Sequence, residues 1–250
     1  MTDEIKVEHP DTHPGVCVLR FDRPGKKNAL TQAMYRTLNA ALDAAEALDS
    51  VRAIVFLGSE GCFSAGNDLA DFAAMAKGGA IAGEILGFLE RLVRGRKPLL
   101  SGVDGLAIGI GTTLTLHCDL TIASERALFR TPFVDLALVP EAGSSLLLPR
   151  LIGHQRAFAM LCAGLPMSGA EALQAGLVAP LVPSDTLEAE TLALAAALAA
   201  KPPEALRLSR SLLRGQTAEL VARIEEEARL FAERLQSAEA QDAFRAFLTR

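Results

Sequence analysis

The sequence predicts an α/β fold followed by a helical C-terminal region. Short β-branched runs alternate with helix-patterned segments, and glycine-bearing turns follow two of those runs. Past Pro183 the strand-like runs stop and only helical patterning continues.

Residues 15–21 and 51–57 are apolar, β-branched and bounded by turn residues, so they read as strands. Between them Thr31 is placed to cap a helix running to about residue 48. Met34, Leu38, Ala41, Leu42 and Ala45 would share one face of it. Residues 97–103 form the next predicted strand. The glycine-rich stretch 102–111 then leads to an apolar helix ending near His117, and 120–123 is a further strand. Three helical segments are expected after Pro183. Within 217–236, Leu220, Ile224, Ala228, Phe231 and Leu235 recur at helical spacing, with Glu225, Glu226 and Glu227 mostly opposite. That stripe needs cover, either from the body of the chain or from a neighbouring subunit. The predicted division is a core of residues 1–190 and a helical region of 191–250.

A chain of 250 residues that is half hydrophobic can build a core without disulfides or metal. Its net charge of −5 and lack of a basic block argue against nucleic acid as partner, while an anionic small ligand stays open. Cys17, Cys62, Cys118 and Cys162 are widely spaced and read as buried free thiols of a reducing compartment. His9, His13, His117 and His154 lack metal-ligand spacing, so no metal is expected. The N-terminal residues have neither signal nor transit character, and no apolar run reaches the ~20 residues of a membrane span. The terminal Leu248-Thr249-Arg250 is not a peroxisomal tag. The expected location is the cytoplasm.

Familiar catalytic patterns are missing. Gly109-Ile110-Gly111 begins like a dinucleotide fingerprint, but Leu114 stands where the third glycine belongs. There is neither a phosphate-binding P-loop nor a serine nucleophile elbow. Two glycine turns remain, at 62–69 and 104–113, each leading from a strand to a helix start. Helix starts leave N–H groups unpaired, so the two turns could aim one donor each at a single oxygen. Spacing alone favours ordinary tight turns.

Phe63-Ser64-Ala65-Gly66-Asn67-Asp68-Leu69 resembles the Phe-(Ala/Ser)-(Ala/Ser)-Gly-x-Asp-(Leu/Ile) element of the crotonase (enoyl-CoA hydratase/isomerase) family. Lys97-Pro98, with the Gly-x-Ala-x-Gly-x-Gly pattern from Gly105 to Gly111 and then Cys118-Asp119, resembles a second element. Asp22-Arg23-Pro24, Asn28-Ala29-Leu30, residues 136–143 and Pro149-Arg150-Leu151-Ile152-Gly153 follow in family order. The resemblance therefore spans 16–182.

The resemblance implies a crotonase-like spiral of ββα units whose C-terminal helices build a homotrimer or a dimer of trimers. It implies that the N–H groups of Asn67 and Ile110 form an oxyanion hole for a coenzyme A thioester. Lys27, Ala29, Leu30, Ala65, Gly66, Asp68 and Leu69 would flank the adenine and pantetheine. Lys26 and Lys27 are candidates for its phosphates, or plain surface lysines. No permanently bound cofactor is implied, since acyl-CoA is the substrate. Family hydratases carry glutamates where this chain has Thr113 and Phe133, which here would be pocket wall. Glu141 instead stands where some double-bond isomerases carry their acid. Read without the resemblance, Glu141 simply begins a helix. Asp68 and Asp71 read as helix-start residues, Asp119 as an acceptor at a strand entrance, and Asp135 as a candidate second polar group. The leading expectation is a Δ3,Δ2-enoyl-CoA isomerase. The alternatives are a hydratase or other crotonase-type lyase, and a noncatalytic CoA-binding module.

Overall fold

The computed structural model describes residues 2–59, 61–76 and 83–248, without the side chains of 73–76, 247 and 248. Strands β1 (Ile5–Glu8) and β2 (Val16–Phe21) precede helix α1 (Gln32–Ala47), which Thr31 caps by accepting from the Met34 N–H. After β3 (Ala53–Leu57) come α2 (Leu69–Ala76) and α3 (Gly83–Arg94). Then follow β4 (Leu99–Val103), β5 (Leu106–Ile108), α4 (Ile110–Thr113) and a 3-10 turn ending at His117. β6 (Leu120–Ser124) and β7 (Leu128–Arg130) lead to α5 (Ser144–Ile152) and α6 (His154–Leu161). β8 (Met167–Ser168), α7 (Gly169–Ala175) and β9 (Leu181–Val182) close the strand-bearing part.

The six-stranded sheet has the order β1-β2-β3-β4-β6-β9, with β1 antiparallel to β2 and every other neighbour parallel. Its central strands β3 and β4 are buried along their whole length because both faces are covered. Cys17, Leu19, Phe21, Ile54 and Phe56 enter the larger core with α1 and α3. The alternate residues Val16, Val18, Ala53, Val55 and Leu57 pack under Leu187, Leu192, Ala195 and Ala199.

β4 runs almost directly into β5, and β6 into β7. The first strand of each pair lies in the large sheet and the second in a small sheet ordered β5-β7-β8. Parallel bridging of Ser64 with Ala107 extends that small sheet backwards, so one ladder passes through Ser64, Ala107, Phe129 and Met167. The chain is thus a spiral in which successive turns stack.

Among the described residues four helices follow rather than the expected three: α8 (Leu187–Ala199), α9 (Pro203–Arg214), α10 (Ala218–Leu235) and α11 (Ala238–Leu248). The division expected at residue 190 falls inside α8, which lies directly on the large sheet. Ile224, Phe231 and Leu235 of α10 are buried in the chain's own core. The exposed apolar face belongs instead to α9, where Leu212 and Leu213 are 84% and 89% accessible. Of the cysteines, Cys17 is buried as expected, but Cys162 is exposed. Among the described residues no helix is long and apolar enough to cross a membrane. Residues 249 and 250, the end of the expected tag-free terminus, lie outside the described residues.

α9 is held by polar contacts. Asp119 accepts from the Leu99 N–H at 2.9 Å, as expected at a strand entrance, and also pairs with Arg210 at 2.6 Å and Arg214 at 3.0 Å. Arg210 is 8% accessible, so that carboxylate compensates a guanidinium largely removed from water. Asp119→Ala is expected to lower folding stability by about 2–3 kcal/mol, read by urea denaturation, because it strands two guanidinium groups.

Candidate active site

The two glycine turns lie side by side. Ser64 N–H donates to the Leu106 carbonyl and Ile108 N–H to the Ser64 carbonyl, both at 2.9 Å. Asn67 and Ile110 each stand three residues beyond the bridged pair Ser64 and Ala107, which gives them equal offsets along neighbouring strands. The approach is too close for side chains at key points. A Cβ on Gly66, whose φ is +92°, would sit 2.8 Å from the Ile108 carbonyl oxygen, and one on Gly111 would sit 2.7 Å from that of Ser64. Leu30 bonds Gly66 and Asp68 through its own N–H and carbonyl, so the intervening Asn67 N–H faces away from that strand. Among the described residues neither the Asn67 N–H nor the Ile110 N–H has a protein acceptor.

Glu141 sits on a turn before α5. Ala142 and Gly143 both take left-handed conformations there, with φ of 60° and 72°. Part of the residue remains accessible, but its carboxyl group is enclosed and receives a hydrogen bond from the Thr113 hydroxyl. Burial pushes this carboxyl up to about 8; the Thr113 bond opposes the rise, and the charge of Glu227 adds to it. Glu141 and Asn67 line one small cavity of about 20 Å³, room for roughly one water. Phe72, Ile85, Leu89, Ile224 and Phe231 form much of its apolar wall.

Lys27 accepts from the Ala65 N–H at 2.9 Å, while both lysines of the Lys26-Lys27 pair are exposed. Ala29 and Leu30 run beside Gly66 to Asp68, and Leu69 opens α2 against the core. Asp68 caps α2, accepting from Ala70 and Asp71, and pairs with Arg23 at 2.8 Å. Asp71 serves a different helix, accepting from Gln32 at the start of α1. Ile110 is buried at the first position of α4 and does not line the cavity. Phe133 is likewise buried in the surrounding core without lining it. Asp135 turns toward Arg130 at 3.0 Å and is half exposed.

Three residues play parts that the sequence reading did not assign to them. Tyr35 is fully buried on the apolar face of α1, and its hydroxyl donates to the Asn67 side-chain carbonyl at 2.7 Å. Burial and then the Glu141 charge hold its pKa well above the usual value, so it stays a donor. Its signal was a tyrosine inside an apolar stripe, whose hydroxyl must find a partner. Asn28 is buried and left-handed; its amide donates to the Cys62 carbonyl at 2.7 Å and so ties the first turn down. Glu227, placed mostly opposite the stripe by spacing, is in fact buried on the stripe's side of α10.

Comparison with known proteins is consistent along nearly the whole chain. The family described as enoyl-CoA hydratase/isomerase matches residues 11–250. Enoyl-CoA delta isomerase 2 of Rattus norvegicus is 36% identical over 244 residues; the match covers 94% of this chain and 62% of that longer protein. The 2,3-dehydroadipyl-CoA hydratase of Escherichia coli (strain K12) is 33% identical over 236 residues, covering 94% of this chain and 92% of the relative. The solved structure of Pseudomonas aeruginosa OdaA superimposes with a TM-score of 0.94 at 38% identity, covering 100% of both chains. Isomerase and hydratase names thus occur at similar identity. With the spiral, the paired glycine turns and this match over residues 11–250, the chain belongs to the enoyl-CoA hydratase/isomerase family, whose fold it shares.

Proposed function

We propose that this enzyme is a Δ3,Δ2-enoyl-CoA isomerase that works through one carboxylate. The carrying observation is that Glu141 is the single acid among the described residues lining the cavity, while Thr113, where a hydratase glutamate would stand, donates to it. Hydration needs a water activated by one group and a proton supplied by another. Isomerisation needs one group that takes a proton and gives it back.

In this reading the unpaired N–H groups of Asn67 and Ile110 bind the thioester oxygen of a 3-enoyl-CoA. Ionised Glu141 removes a proton from C2, and the electrons move onto the oxygen as a dienolate. Two such donors each contribute about 3 kcal/mol to that state. Protonated Glu141 then returns the proton at C4, leaving the double bond conjugated between C2 and C3. Apolar walls keep water from competing. The cavity is too small for an acyl chain, so Phe72, Leu86 or Leu89 must yield on binding. Residues 27–30 and 65–69 would carry the coenzyme A portion, and the leucines exposed on α9 support assembly into trimers or paired trimers.

Glu141→Gln is expected to cut conversion of 3-enoyl-CoA by about 10³-fold with the fold intact. Water addition to 2-enoyl-CoA by the wild type, with no isomerisation, would favour the hydratase alternative; binding without turnover of either would favour a CoA-binding module. The pH profile gives a second check. Because only ionised Glu141 can take the C2 proton, kcat/KM should climb with pH through about 8. Thr113→Val removes a bond that favours the ionised form, so that rising limb should move to higher pH. A limb that moves down or stays fixed would contradict the assignment.

A further inference from the structure

The turn carrying Glu141 is built from strained backbone and needs holding. Ala142 in a left-handed conformation costs roughly 1–2 kcal/mol, and the glycine after it repeats the conformation. α5 has no side-chain cap of its own at Gly143. The cap comes instead from α10: Glu227 accepts from the Gly143 N–H at 2.6 Å, the Ser145 N–H at 3.0 Å and the Ser145 hydroxyl at 2.5 Å. From the other side, His117 Nε2 donates to the Ala142 carbonyl at 2.7 Å. Burial lowers that histidine to about 4, so it is neutral, and a carbonyl acceptor fixes the proton on Nε2.

Capping alone does not call for this residue. Glu227 is 4% accessible, and burying a carboxylate is costly where a local serine or aspartate could cap the helix. Its placement does two things a local cap would not. It ties the Glu141 turn to the helix that supplies Ile224, Ala228 and Phe231 to the cavity, and it sets a second negative charge beside Glu141.

We propose that Glu227 is a positioning residue for the reaction, clamping the Glu141 turn onto α10 and setting a second carboxylate behind it. This rests on Glu141 being the acid–base group. The groups facing Glu141 are the Thr113 hydroxyl, Tyr35 from α1 and Glu227 from α10. Burial raises the Glu227 pKa as well, and the bonds from Ser145 and Gly143, then the charge of Arg223 on its own helix, oppose that rise and favour its ionised form; His117 behind the turn is uncharged. Of these, Glu227 is the negative charge that raises the Glu141 pKa, so its removal has a defined sign.

The test compares kcat, KM and pH profiles for 3-enoyl-CoA conversion in wild type, Glu227→Gln, Glu227→Asp and Glu141→Gln, with folding checked by circular dichroism. Glu227→Gln can no longer accept from both backbone donors and carries no charge. Its kcat should fall about tenfold with little change in KM, and its rising limb should move to lower pH by roughly half a unit or more. Glu227→Asp keeps the charge on a shorter arm, so kcat falls while the limb stays near its wild-type position. A Glu227→Gln enzyme with wild-type kcat and limb overturns the proposal. So does one that loses kcat with an unmoved limb, which marks a purely structural role. Should Glu227→Gln not fold, Ser145→Ala removes the hydroxyl contact alone and should lower kcat several-fold at constant KM; unchanged kcat overturns the clamp. Glu141→Gln separates the two readings. If it keeps wild-type turnover, the acid–base assignment and this proposal fall together; if it is inactive while Glu227→Gln is unaffected, only the Glu227 proposal falls.

Discussion

The parallel bridge between Ser64 and Ala107 sets how two turns more than forty residues apart in sequence face one another, since these positions lie at 64 and 107. A parallel ladder fixes register as well as distance, because a slip by one residue would exchange inward and outward positions. With register fixed, Asn67 and Ile110 emerge at matching offsets, and the glycines at 66 and 111 become a packing requirement. The ladder continues through Phe129 to Met167, so the spacing is braced by later turns of the spiral and is not left to two loops.

Against that braced frame the electrostatics of Glu141 are a balance. An enclosed carboxyl prefers its neutral form, and the Glu227 charge strengthens that preference, whereas the Thr113 hydroxyl stabilises the ion. With burial the largest cause, its pKa is pushed up to about 8, where the proposed cycle would use it first as base and then as acid. A carboxylate in water would release its proton too readily to do the second job. Thr113 suits the proposed single-acid cycle, in which a second carboxylate at that position would add only repulsion.

How far the sequence revealed this depends on which residues carry the information. Residues 15–21, 51–57, 97–103 and 120–123 were legible as strands because burial on both faces leaves them short, mostly apolar and bounded by turn residues. α1 was legible from Thr31 and one stripe. β5, β7 and β8 were not, since runs of two or three residues acquire their identity from ladder partners supplied elsewhere. Within the alanine-rich stretch 193–200, Ala195 and Ala199 pack α8 onto the large sheet, a contact that composition alone does not announce. At the site, the glycine turns and Glu141 were marked by resemblance; from its own neighbours Glu141 read as a helix-start residue. It does precede α5, but its side chain turns to Thr113 instead of the helix end. That choice is tertiary and leaves no local trace.

A helical region joined to a finished core should leave the core's cavity complete without it. Here α8 covers one face of the large sheet, so the core is open until that helix arrives. α10 then presents Ile224, Glu227, Ala228 and Phe231 along one face, at helical spacings of three and four. Three of these line the cavity beside Glu141 and the fourth holds its turn. The face that remains outside is the leucine side of α9, which the polar grip of Asp119 turns away from the body. The tail is therefore two things at once: α8 and α10 complete the cavity from within, and α9 holds an apolar surface outward, so any assembly through α9 would rest on the same stretch of chain that shapes the site.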